Sequence, residues 1–174
     1  SLTYRAFHAL PTDLVTASGQ VTNAVFGFTS MFINLVRDHK PDAIAVAFDR
    51  PEKTFRHDRD PEYKANRIAA PDILRQQLPL VRQVVDTLGV TAIEKVGVEA
   101  DDIIATFATL AAARGDDVLI VTGDRESYRD EHGLGDGSGQ HMHRHSFTAA
   151  ALIGELGAGQ VLHEGRWFVV VAAS

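Results

Sequence analysis

Residues 43–49 read AIAVAFD and residues 117–124 read DVLIVTGD, and these two strings decide the fold class. Each is a near-continuous apolar run of strand length, the signature of a strand buried on both faces, as in parallel sheets. Each is followed at its carboxyl end by an aspartate, Asp49 in the first and Asp124 in the second. Upstream, Gln20–His39 sets Val21, Val25, Phe28, Met31, Phe32, Leu35 and Val36 at spacings of three and four, which predicts an amphipathic helix ending before Pro41. Between the strings, Pro71–Asp72 opens a second helical pattern that closes at Gly89, with Pro79 inside it to kink or divide it. Val90–Glu94 reads as a short strand, and Glu99–Ala113 as a helix carrying Ile103, Ile104, Phe107 and Leu110. Helices alternating with buried strands predict an α/β layered fold around a central, mostly parallel sheet. Ligands of such sheets gather outside the carboxyl ends of the strands, where Asp49 and Asp124 fall.

Composition narrows the class further. The chain has 174 residues, 45% hydrophobic and 23% charged, as an ordinary globular domain does. It has no cysteine, which excludes disulfides, thiolate zinc sites and a cysteine nucleophile. No apolar run reaches the roughly 18–20 residues of a membrane span, and no signal-peptide pattern opens the chain. A soluble cytoplasmic protein without a membrane partner is therefore expected. The formal net charge of −6 argues against a generally basic nucleic-acid surface. The charge is segregated, however. Residues 50–70 carry a net +2, whereas residues 97–126 carry a net −5.

The acidity resolves into three groups: Asp49 after one strand, Glu99, Asp101 and Asp102 at a helix start, and Asp124 with Glu126 after another strand. Separately, each has a plain reading. Acids in a first helical turn satisfy free backbone N–H groups, and aspartates after strands begin turns. Together, at the carboxyl rim of one sheet, they point to a site for hard divalent cations, which take oxygen ligands from separate elements. Two such ions can serve an in-line phosphoryl displacement.

The strings GVEADDII (97–104) and TGDRESY (122–128) stand in an ordered series with YRAFHALP (4–11), GQVTNAVFGF (19–28), AVAFDR (45–50), TFRHDR (54–59) and YKANR (63–67). This series, running from Ser1 to about Tyr128, resembles the 5′-nuclease domains of the flap endonuclease family that are joined to bacterial DNA polymerase I. The resemblance implies a three-layer PIN-like α/β fold. It further implies a nuclease, dependent on Mg²⁺ or Mn²⁺ and using two ions, that removes 5′ flaps or RNA primers in DNA replication and repair. By the same resemblance Asp49, Glu99, Asp101, Asp102 and Asp124 match metal-holding positions, with Glu126 where the family usually has Asp. Lys64 and Arg67 match the basic residues that approach the scissile phosphate. Tyr63 is placed to stack on a base, and Arg5 and Arg56 to contact the nucleic-acid backbone. The implied partners are DNA, as flaps, primers or nicked duplex, and a polymerase domain on the same chain.

The chain also departs from that pattern. The family's first strand carries a metal-binding Asp and lies upstream of the segment matching Ser1, so an apolar slot in the sheet is expected. The family's downstream acidic pair has no counterpart in residues 129–174, a divergent Gly- and His-rich region with one strand near residues 167–171 that could patch a sheet edge. Residues 1–128 are thus expected to form a partial nuclease domain and 129–174 a divergent tail. Within that tail His141, His143 and His145 would share one face if extended, as a transition-metal site or a solvated loop. The expected function is a 5′-nuclease fragment. The alternatives are a catalytically inactive nucleic-acid-binding remnant and a PIN-like ribonuclease needing fewer carboxylates.

Overall fold

The two buried strings are joined through a third strand between them. In the computed structural model, which describes residues 2–66, 69–122, 141–144 and 167–173, five strands form one sheet. They are β1 (Ala43–Ala47), β2 (Thr91–Ile93), β3 (Asp117–Thr122), β4 (His141–Arg144) and β5 (Trp167–Ala172), in the order β2-β1-β5-β3-β4. The first four in that order run parallel, and β4 pairs antiparallel with β3 at one edge. β5 is flanked on both sides, with Val171 opposite Val46 of β1 and Val121 of β3.

This placement revises the expected position of the strand near residues 167–171. It fills the centre of the sheet rather than an edge, so the slot expected there is occupied. The reason is elementary: a central position satisfies the backbone groups of three strands at once, whereas an open slot leaves two strands with unpaired N–H and C=O rows. Val171, Ala172 and Ala173 are accordingly buried. The Ala173 N–H donates to Ala47 O at 3.0 Å, and the Thr3 hydroxyl donates to Ala173 O.

Among the described residues there are six helices: α1 (Leu2–Ala9), α2 (Asn23–His39), α3 (Phe55–Arg59), α4 (Asp72–Arg75), α5 (Leu78–Thr87) and α6 (Ala100–Ala113). One face of the sheet packs Phe28, Phe32 and Leu35 of α2 and Val81 and Val85 of α5 against Val46, Val121 and Val171. The opposite face packs Ile103, Ile104, Phe107 and Ala111 of α6 against Ala47, Val118, Ile120 and Ala172. The three-layer α/β expectation holds. The helical pattern from Pro71 is divided as expected, but at Gln76–Gln77 rather than at Pro79. Pro79 then sits in the first turn of α5, where a missing N–H costs nothing.

A buried polar knot fixes the helical layer. The Gln77 amide oxygen accepts from Ala24 N at 2.8 Å and from Val25 N at 3.3 Å, capping the start of α2. Its amide nitrogen donates to Asn23 Oδ1 at 3.0 Å, and Asn23 Nδ2 donates to Phe7 O at 2.9 Å and Leu10 O at 3.0 Å. Both side chains are fully buried and both are satisfied. Gly27 lets α1 and α2 approach closely, because a Cβ there would stand 2.8 Å from Ala6 Cβ.

Candidate active site

The carboxylates are positioned by short-range chain logic. β1 ends at Ala47, and Asp49 follows two residues later at the sheet's carboxyl rim. Its Oδ1 accepts from Ala100 N at 2.6 Å, so this strand-end aspartate caps the helix that carries the other acids. The chain enters α6 through Gly97, whose φ of +83° is in the left-handed region that glycine adopts without steric cost. Glu99 and Asp102 then lie three residues apart on one side of the helix start, and Asp102 Oδ2 accepts from Glu99 N at 3.0 Å. Asp101 is half-buried in the same first turn.

The basic segment folds back over these acids. The Arg56 guanidinium grips Asp102 with two bonds, Nη1 to Oδ2 and Nη2 to Oδ1, both 2.6 Å. Its Nη1 also lies 3.9 Å from Glu99 Oε2. Lys64 Nζ donates to Glu99 Oε1 at 2.8 Å, and the Tyr63 hydroxyl donates to Glu99 Oε2 at 3.2 Å. Burial works against ionisation of Asp102, but Arg56 and the Glu99 N–H outweigh it and hold the carboxyl below its ordinary range. Hydrogen bonding to Asp102 correspondingly holds Arg56 above its ordinary value, against partial burial. Beside this contact opens a hollow of about 210 Å³, lined by Asp49, Arg50, Thr54, His57, Lys64 and Glu99 among others.

Of the expected site residues, the structure joins Arg56, Tyr63 and Lys64 to Glu99 and Asp102, sets Asp49 against the backbone of the same helix start, and places Asp101 in that helix's first turn. Arg5 sits apart, half-buried on α1, and makes no ion pair with these carboxylates among the described residues. Arg67, Asp124, Glu126 and His145 lie outside the described residues, while His141 and His143 fall within β4. Among the described residues no three carboxylate or imidazole groups converge as a metal cluster.

Residues 1–129 match the family described as "5′-3′ exonuclease, N-terminal resolvase-like domain". The chain belongs to this 5′-3′ exonuclease domain family. DNA polymerase I of Mycobacterium tuberculosis is 52% identical over 128 residues, which is 73% of this chain and 14% of that protein. DNA polymerase I of Deinococcus radiodurans is 40% identical over 134 residues, 76% of this chain and 14% of that protein. That of Bacillus subtilis is 41% identical over 126 residues, 72% of this chain and 14% of that protein. The chain thus spans about one seventh of the length of these relatives.

Two residues beside these carboxylates were missed by sequence reasoning. His57 packs its ring edge-on against Tyr63, with centroids 5.4 Å apart, and its Nδ1 accepts from Thr54 N at 3.2 Å. Thr54 is buried beneath it. The available signal was spacing: Thr54 and His57 stand three apart at the start of α3, as in a capping box, with histidine where Glu or Gln is usual.

Proposed function

We propose that this chain is the metal-dependent hydrolytic portion of a structure-specific 5′-nuclease, cutting DNA phosphodiesters at 5′ flaps or primer ends. The observation that carries this reading is the meeting of two opposite charge groups at one sheet rim. Asp49, Glu99 and Asp102 supply oxygen donors there, and Arg56, Tyr63 and Lys64 come from a single facing segment.

The donor chemistry suits a hard cation such as Mg²⁺ or Mn²⁺, since every donor is a carboxylate oxygen. In this reading Asp49, Glu99, Asp101 and Asp102 would hold it, joined by Asp124 and Glu126. When bound, such ions stabilise the charge that develops in an in-line phosphoryl displacement. The chain's own cations do the rest. Lys64 and Arg67 would steady the scissile phosphate, Arg56 and Arg5 would hold flanking backbone phosphates, and Tyr63 would offer its ring to an unstacked base. The deciding experiment incubates the chain with a 5′-flap duplex and Mg²⁺ or Mn²⁺, with chelator as control. Cleavage that persists in Asp102→Asn would refute the assignment of the site.

A second reading is a binding remnant that holds nucleic acid without hydrolysis. It is favoured by β5 ending at Ala172, which carries no acidic group, beside β1, the strand that leads to Asp49. It predicts salt-sensitive flap binding with no cutting at any Mg²⁺ or Mn²⁺ concentration.

A further inference from the structure

The groups proposed to hold phosphate and the groups proposed to hold metal are engaged with each other. Arg56 spans both Asp102 oxygens, while Lys64 and Tyr63 divide the two oxygens of Glu99. All three donors come from one stretch of ten residues, 55–64. That stretch is tied to the loop before α6 by Phe55 N donating to Gly97 O at 3.0 Å. Under it the side chains of Glu99 and Asp102 retain only 13% and 12% of their exposure. Most of the residues around the contact (Arg59, Asp60, Pro61, Glu62, Ala65 and Asn66) are exposed. The contact is therefore a charged closure, with little apolar packing to hold it.

We infer that residues 55–64 form a counter-ion latch over the start of α6, an autoinhibitory contact that closes the site through its own cations. The inference rests on the metal-nuclease reading above. Its logic is competition for lone pairs. Glu99 and Asp102 cannot offer the same oxygens to Arg56, Lys64 and a divalent cation at full strength, so Arg56 and Lys64 must let go before these carboxylates serve a metal. Once released, the same two side chains are free to hold phosphate. Opening of the latch thus arms both halves of the site together. Because coupling between two equilibria is reciprocal, the factor by which latch closure weakens cation binding is the factor by which a bound cation loosens the latch.

The test uses the full chain, Mn²⁺ as the probe and two readouts that need no catalysis. Titration calorimetry compares the parent with Arg56→Met and Lys64→Met, each checked for folding by thermal melting. Limited trypsin digestion, mapped by mass spectrometry, follows cleavage after Arg56, Arg59 and Lys64 of the parent with and without Mn²⁺. A latch predicts about 5- to 150-fold tighter Mn²⁺ binding in at least one folded variant. It also predicts faster cleavage within residues 56–64 when Mn²⁺ is present. Equal Mn²⁺ affinity in parent and folded variants, with an unchanged digestion rate, overturns the latch and leaves the nuclease reading standing. Absence of Mn²⁺ binding in parent and variants alike overturns both. Binding seen only in a variant supports the latch in its tightest form.

Discussion

The position of β5 carries the most consequence for the fold, and Val171 tests it. Its side chain is fully buried in the cluster that contains Leu2, Phe28, Val46 and Val121. Val171→Ala removes two methyl-sized groups, worth about 0.8 kcal/mol each in lost transfer free energy. Incomplete collapse around the vacated space raises the total to about 2–3 kcal/mol. That is a large share of the roughly 5–15 kcal/mol that stabilises a typical domain. Val36→Ala on α2 serves as the control, since Val36 is 38% exposed and its truncation should cost no more than about 0.5 kcal/mol. Urea unfolding followed by circular dichroism reads both, with an unchanged slope expected for a change in native stability alone. If Val171→Ala and Val36→Ala lie together within about 0.5 kcal/mol of the parent, β5 is not the central strand and the packing argument fails.

Three further outcomes follow from geometry already given. Gln77→Ala strands the buried Ala24 N–H and the Asn23 amide oxygen, each worth about 1–3 kcal/mol, so urea unfolding should show a loss of about 2–6 kcal/mol. Gly27→Val forces α1 from α2 at the Ala6 contact and should cost about 1–3 kcal/mol, read as a lower melting temperature. Lys64→Ala should weaken binding of a fluorescent flap duplex and reduce the slope of log affinity against log salt by about one, measured by anisotropy. An unaltered slope would remove Lys64 from the phosphate contacts.

How legible each element was depended on whether its cause is local. β1 and β3 could be read directly because strands buried on both faces carry unbroken apolar runs, and β3 spans Asp117–Thr122 as expected. α2 could be read from its spacing, although it begins at Asn23 rather than Gln20, where the cap from Gln77 becomes available. Trp167–Ala172 could be read as a strand, but its central place could not. That place is set by which backbone rows β1 and β3 leave open, and parallel partners 125 and 50 residues away in the chain leave no local trace. The site divides the same way. Its acids were visible at a strand end and a helix start, whereas the Arg56–Asp102 fork joins residues 46 apart and exists only once the basic segment folds back. His57 was hidden because a histidine in a capping position resembles a surface residue until Tyr63 is seen against its ring.

The carboxylates of this rim have structural duties that must be separated from chemical ones, and Asp49 allows the separation. It is exposed, and its Oδ1 takes the Ala100 N–H at the start of α6. Asp49→Ala removes that acceptor and should cost about 0.5–2 kcal/mol, as loss of a helix cap does. Asp49→Asn keeps an oxygen in the same place without the negative charge, so its stability should stay within about 0.5 kcal/mol of the parent. If Asp49 is also a cation ligand, the two variants diverge in stability yet agree in function, because a neutral amide is a poor partner for a hard divalent ion. Unfolding curves and Mn²⁺ titrations on the same preparations read the two duties independently. A loss of Mn²⁺ affinity in Asp49→Ala alone would make Asp49 a cap that acts only by holding α6 in place. Loss in both variants, with stability lost in only one, would make this strand-end aspartate a cap and a ligand at once.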